Sequence, residues 1–423
     1  MPFMALKIRK MSSNHIPVTK STLKNKFSLW TLAAALMLMS CGSPASEQNW
    51  VGTWATSPQL VEPHNMPPEP GLTNNTLRQI VRVSIGGDSL RVKFSNEFSN
   101  SPVTLQEVRI AVSKGGSTID ASTDQQLTFN QSPEATIAAG STLLSDPIAF
   151  NLQARMDLAI TIYFGKTPEE VTGHPGSRTT SFIAEGNKSS DPQLPQAAEA
   201  DRWYVINGID VKSPETAGAV AILGNSITDG RGSGTNQQNR WPDVLAERLI
   251  NNPGTQKVAV LNHGIGGNCV LKACLGPAAI DRFERDVLNQ QGVKWLILLI
   301  GVNDLGQTPD SAAAHLVADQ LIDAYKLMIE KAHNKDIKVY GATILPFGES
   351  FYYASFREPA RQKINDWIRN SGHFDAVIDF DQGMQNPFNP GSLMPDLHTG
   401  DFLHPNELGY KAMGAYIDLS LFK

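Results

Sequence analysis

The chain has 423 residues, 41% hydrophobic and 18% charged, with a formal net charge of −5. That length accommodates two domains at roughly 100–200 residues each, and the composition is ordinary for a soluble globular protein. A negative balance, with no dense Lys/Arg block after residue 26, argues against a nucleic-acid surface, and no nucleic-acid partner is expected.

Residues 1–41 read as an export signal. Lys20, Lys24 and Lys26 precede the apolar run "FSLWTLAAALMLMS", which ends at Ser40 before Cys41. The run is shorter than the about 20 apolar residues that span a bilayer, and it fits a signal-peptide core. "LMSC" resembles a bacterial lipobox, in which the cysteine is lipidated and becomes the new N-terminus. Met39 departs from that pattern, and plain secretion with cleavage nearby is the alternative. Met4 and Met11 are further candidate starts. The protein is expected to be exported, either to the periplasm or cell surface as a lipoprotein or by secretion. Membrane contact is expected only through such an anchor, with 42–49 as its tether.

From 50 to 213 the pattern alternates as strands do. In "IVRVSIGGDSLRVKFSNEF", Val81, Val83 and Ile85 share one face, and Leu90, Val92 and Phe94 resume it after "GGD". This predicts a β-hairpin. "LQEVRIAV" and "MDLAITIYF" alternate similarly, and the connections are rich in Gly, Pro, Ser and Asn. The expectation is an antiparallel β-sandwich.

Over 214–423 the texture changes. Short apolar runs ("AVAIL", "VAVL", "WLILLI", "VYGATI", "AVIDF") alternate with helical patterns such as "WPDVLAERLINN" and "QLIDAYKLMIEKAH". Continuous apolar strands between amphipathic helices indicate a parallel sheet covered on both faces. In such sheets ligands bind beyond the carboxyl ends of the strands.

The residues after those runs are therefore the candidates. They are "GNSITDG", "NHGIGGN", "GVNDLG" and, near the C-terminus, "DFLHPNELG". Together they supply serine, histidine, aspartate, an asparagine amide and glycine-freed backbone N–H groups, which are the parts of an acyl-transfer site. Ser226 is either a turn serine or a nucleophile. A compact turn can bring Asp401 to one ring nitrogen of His404, and Pro405 suggests a helix start with His404 near its N-cap. A capping Asp beside a surface His is the alternative. "GIGGN" alone would be a tight turn, and Asn303 alone a buried amide.

The remaining cysteines, Cys269 and Cys274, are expected to form a local disulfide rather than a metal site, because no histidine stands at ligand spacing. No HExxH-like cluster is visible, so neither metal nor cofactor is expected. The G-x-S-x-G elbow of α/β-hydrolases is also missing, since the next glycine after Ser226 is Gly230. Asp396 and His398 form a decoy pair, read as a loop at the rim.

In order, "GNSITDG", "GIGGN", "GVND" and "DFLHP" resemble the four blocks of the SGNH (GDSL-type) hydrolase family. The upstream "WVGTWATSPQ" and "LRQIVRVSIGGDSLRVKFSNEF" resemble the β-rich N-terminal part of a bacterial lipase/acylhydrolase subgroup. The resemblance implies a flavodoxin-like, three-layer α/β domain and a serine esterase. Ser226 would be the nucleophile, His404 the general base and Asp401 its orienting acid. The Ser226 and Gly267 N–H groups and the Asn303 amide would form the oxyanion hole. Asn225 stands where the family has Asp, which implies an altered hydrogen bond beside the nucleophile.

For the substrate, "LPFGESFYYASF" places Phe351, Tyr352 and Tyr353 near the mouth, either to stack on sugars or to pack on the β region. Asn225, Asp304 and Trp241 complete the candidate contacts, although Trp241 also fits helix-start packing. The expected reaction is removal of O-acetyl groups from a polysaccharide or oligosaccharide. Alternatives are a broader lipase, arylesterase or thioesterase acting on longer acyl chains, and a non-catalytic carbohydrate-binding surface lipoprotein.

Overall fold

A computed structural model describes residues 48–214 and 216–423. The export segment, Cys41 and most of the expected tether lie outside them. Asn49, assigned to the tether, is already in the strand Gln48–Ala55, which pairs antiparallel with Ile206–Pro214.

The N-terminal region is β-rich and antiparallel. One sheet runs Gln48–Ala55, Ile206–Pro214, Gly87–Asn96, Ile148–Leu152, while the other is built around Ser181–Glu185, Asn75–Arg82, Asp157–Phe164 and Val103–Gly115. Alternate residues from both sheets, among them Leu77, Val81, Leu90, Val92, Phe94, Ile110 and Ile160, meet in one buried cluster. The hairpin expected around "GGD" does not form. Asn75–Arg82 and Gly87–Asn96 belong to opposite sheets, so the chain turns a corner there. Both strands carry their apolar faces inward, and pairing them side by side would leave the core without its second wall. Gly87 lets the second strand begin tight against its sheet neighbour, because a Cβ there would lie 2.2 Å from the Lys212 carbonyl oxygen.

The second half holds a five-stranded parallel sheet in the order Val258–Gly264, Gly218–Gly224, Val293–Leu299, Lys338–Ala342, Ala376–Ile378. In chain order this is 2-1-3-4-5. Ala221, Leu223, Leu296 and Leu298 pack on the face covered by helices Ser311–His333 and Glu358–Asn370. Val220, Ile222, Trp295 and Ile297 face helices Trp241–Ile250 and Glu407–Tyr416. Burial on both faces explains the uninterrupted apolar runs.

The two halves share a core. Ala219, Ala259 and Leu261 of the parallel sheet belong to the same buried cluster as Val51 and Trp54, and the described residues form one compact unit. At the sheet's edge, the Ser84 hydroxyl both donates to the Val260 carbonyl (2.9 Å) and accepts from its N–H (3.1 Å). The fold thus covers an edge strand that would otherwise present free backbone groups. Among the described residues no helix is long and apolar enough to cross a membrane.

Candidate active site

Strand Gly218–Gly224 lies between the strands that follow it in sequence on either side, so its carboxyl end is the switch point of the sheet, where a crevice opens. Ser226 opens a one-turn helix, Ser226–Asp229, at that point. Asn225 caps this helix, its Oδ1 accepting the Ile227 N–H at 3.1 Å. Asn and Asp cap equally well, so the departure from the family's Asp leaves the local geometry supported.

Ser226 Oγ lies 2.9 Å from His404 Nε2, and His404 Nδ1 lies 2.6 Å from Asp401 Oδ2. The three-residue spacing works because the Asp401 Oδ1 accepts the N–H groups of Leu403 (3.0 Å) and His404 (2.9 Å), which folds the carboxylate back onto the ring. Phe402, between them, takes a left-handed φ of 56°, unusual for an aromatic residue. His398 supports that turn: its Nδ1 accepts the N–H of Gly400 (3.0 Å) and Phe402 (3.3 Å), and its ring packs on Phe402. The decoy histidine therefore shapes the loop that carries His404.

Gly267 sits at φ 69°, a left-handed conformation that favours glycine, with Leu275 Cδ1 2.8 Å from where a Cβ would stand. The N–H groups of Ser226 and Gly267 have no acceptor among the described residues. Asn303 donates one Nδ2 hydrogen to the Asn268 carbonyl (2.8 Å) and accepts from the Tyr352 hydroxyl (3.0 Å). An amide nitrogen carries two hydrogens, so one remains. Cys269 and Cys274 form a disulfide that closes the loop directly after Asn268.

Beneath the site, Arg282 is fully buried and joins its parts. It donates to the Gly224 carbonyl (3.0 Å), the His263 carbonyl (2.8 Å), Asn268 Oδ1 (3.1 Å), Ser57 Oγ (3.0 Å) and Asp286 (2.8 Å). One guanidinium thus pins the ends of two strands and the loop that holds Asn303. Although burial opposes charge at Asp286, the adjacent Arg285 and Arg282 hold its carboxyl well below the usual range.

Burial is also the main force lowering the His404 pKa; Asp401 opposes it, and Arg231 and Arg178 lower it further. Burial alone would raise Asp401, but hydrogen bonds from the His404 N–H, the His404 ring and the Leu403 N–H hold it down to about 2. The relay is therefore a neutral imidazole between a serine and an ionised carboxylate near neutral pH.

Three expected substrate contacts have other partners in the structure. Trp241 is fully buried and packs edge-on against Phe380, so no face of it is open to a ligand. Asp304 is buried and accepts the N–H groups of Val270 (2.9 Å) and Leu271 (3.0 Å), so it anchors the disulfide loop. Asn225 is buried as the cap already described. Phe351 and Tyr353 are 66% and 50% exposed, and Tyr352 is half-buried between them. The helix after "DFLHP" begins at Glu407 with Asn406 as its cap, two residues beyond the expected position, because His404 and Pro405 are held in the preceding loop.

Sequence reasoning missed His174, Arg178 and Arg231. His174 Nε2 lies 2.9 Å from Asp229 Oδ1, and Arg178 approaches Asp229 Oδ2 at 3.6 Å. Both come from the β-rich region, where no local pattern marks them. Arg231 directly follows "GNSITDG", and that adjacency was the available signal.

Residues 222–412 match the GDSL-like Lipase/Acylhydrolase family. No curated protein matches the chain. Among solved structures, a lipolytic protein of the G-D-S-L family from Desulfitobacterium hafniense is 22% identical, covering 47% of this chain and 96% of its own, with a TM-score of 0.36. The acetyl xylan esterase AlAXEase is 24% identical over the same shares, with a TM-score of 0.36. An acetylxylan esterase from Geobacillus stearothermophilus is 17% identical, covering 47% and 91%, also with a TM-score of 0.36.

Proposed function

We propose that the chain, whose residues 222–412 match the GDSL-like Lipase/Acylhydrolase family, is a carboxylic ester hydrolase that removes O-acetyl groups from polysaccharides or oligosaccharides through Ser226, His404 and Asp401. The observation that carries the reading is the continuous relay from Asp401 through His404 to the Ser226 hydroxyl.

In the first half-reaction His404 Nε2 takes the Ser226 proton as Oγ bonds to the ester carbonyl carbon. The negative oxygen is received by the N–H groups of Ser226 and Gly267 and the remaining Asn303 Nδ2 hydrogen. His404 then gives its proton to the departing sugar oxygen as the C–O bond breaks. Water attacks the acyl-serine by the same route, so acetate leaves and Ser226 regains its proton. Asp401 holds the ring and stabilises the imidazolium formed in each half. The 2-1-3-4-5 strand order supports reading this domain as flavodoxin-like.

Exposed Phe351 and Tyr353 support a glycan at the mouth, since sugar rings stack on aromatic faces. The N-terminal apolar run and a disulfide, which is stable in oxidising compartments, support export. A second reading, longer acyl esters, draws on a groove of about 710 Å³ beside Asp304, lined by Leu271, Ile280, Val317 and Leu327.

Acetate release from a panel of acetylated polysaccharides, with Ser226→Ala as control, tests the main reading. A chain-length series of p-nitrophenyl esters separates the two. Steep preference for acetate supports the first, and a maximum at long chains supports the groove.

A further inference from the structure

We propose that Tyr352 is a positioning residue for the reaction: its hydroxyl orients and polarises the Asn303 amide, so that the aromatic loop at the mouth and the oxyanion cradle act as one unit. This rests on the reading of Asn303 as an oxyanion donor.

The bond runs from the Tyr352 hydroxyl to Asn303 Oδ1 at 3.0 Å, while Asn303 Nδ2 donates to the Asn268 carbonyl at 2.8 Å. These two bonds fix the amide plane from both ends. The donor to Oδ1 also draws electron density away from the nitrogen, which strengthens the remaining N–H as a donor. Without the hydroxyl, Oδ1 of a buried side chain is left unpaired, and the amide has reason to turn.

The tyrosine is held firmly enough for this task. Its ring lies over Gly306, on the same short helix as Asn303, where an added Cβ would stand 2.4 Å from the ring. Its N–H donates to Ser350 Oγ (3.2 Å), and its carbonyl accepts from Arg357 (2.7 Å). Burial raises the phenol above its ordinary value, so it remains a donor through neutral pH. The neighbours Phe351 and Tyr353 are the exposed members of the same loop, and the Phe351 ring centroid lies 4.4 Å from that of Tyr352. A sugar resting on that loop therefore presses on the residue that sets the amide. The tyrosine expected near the mouth thus has its hydroxyl on the Asn303 amide.

The test is a double-mutant cycle of Tyr352→Phe and Asn303→Ala, read as kcat and KM for acetate release together with thermal unfolding. Phe keeps the ring on Gly306, so the folded protein is retained. Tyr352→Phe alone should lower kcat about fivefold, the worth of one net hydrogen bond, with KM nearly unchanged. In the Asn303→Ala background the same change should do nothing further. An equal loss in both backgrounds, an effect confined to KM, or no loss at all overturns the proposal. If Asn303→Ala itself costs nothing, the oxyanion reading falls and takes this with it; if Asn303→Ala is impaired and Tyr352→Phe is not, only this proposal falls.

Discussion

His174 and Asp229, 55 residues apart, meet through a 2.9 Å hydrogen bond that ties the β-rich region to the helix bearing Ser226. The other His174 ring nitrogen lies 2.9 Å from the Ser57 carbonyl, so the residue is fixed on both sides. Ser226, the proposed nucleophile, is thus braced by a part of the chain that supplies none of the proposed relay.

Removing that brace should be costly. Among the described residues, His174→Ala leaves the buried Asp229 side chain with only the longer Arg178 contact, and a buried acceptor deprived of its hydrogen-bond donor costs about 2 kcal/mol. Urea unfolding should show the loss, and kcat should fall because Asp229 shares the one-turn helix with Ser226. In a cycle with Asp229→Asn, the double variant should lose less than the sum of the singles. Strict additivity would mean that the two residues act separately.

The pH profile should respond to Arg231. As the proposed general base, His404 must be neutral to accept the serine proton, so kcat/KM should fall as pH drops through its pKa, which burial places below the ordinary histidine value. Arg231 presses it lower still, and its side chain makes no hydrogen bond or ion pair with the described residues. Arg231→Gln should therefore move the acid limb to higher pH, and Arg231→Lys should restore it. Because Arg231 is exposed, added salt should narrow the gap between wild type and the glutamine variant. An acid limb that stays in place would remove Arg231 from the electrostatics of the site.

Acid should unfold the protein partly through His263. Burial lowers its pKa from 6.5 to about 3. In that window the unfolded chain binds a proton that the folded chain refuses, so stability declines as pH falls below the unfolded value. The decline amounts to about 2 kcal/mol by about pH 5. Asp401 acts later, since its folded value of about 2 lies below that of a free carboxylate and its contribution disappears only as pH approaches it. Urea midpoints of His263→Asn should fall less steeply over this range than those of the wild type.

Opening the disulfide should affect both stability and turnover. Cys269 follows Asn268, whose carbonyl receives the Asn303 amide. A loop this short is worth about 2 kcal/mol on the chain-entropy scale. Cys269→Ala with Cys274→Ala should lower the Tm by several degrees and reduce kcat more than KM. Unchanged kcat would separate the loop from the cradle.

Much of the site could be read from the sequence, because a parallel sheet collects ligand groups in loops that directly follow recognisable apolar runs. Ser226, Gly267 and Asn303 come from three consecutive loops of that kind, and the turn at Asp401–His404 is local. Less legible were features set by tertiary packing. The corner at Gly87 looks like a hairpin because alternation does not reveal which sheet a strand joins. Trp241 and Asp304 stand near the motifs in sequence, yet packing and loop anchoring turn them inward. His174, Arg178 and Ser57 reach the site across the fold, and no periodicity reports a contact of that range.

The clasp of Ser84 on Val260 bears on how the halves can be handled. Cut free of its N-terminal partner, the α/β half would expose the rim of strand Val258–Gly264 together with Ala219, Ala259 and Leu261. A bare rim beside greasy surface invites strand-to-strand stacking between molecules. The truncated enzyme would therefore be expected to precipitate before its chemistry could be measured.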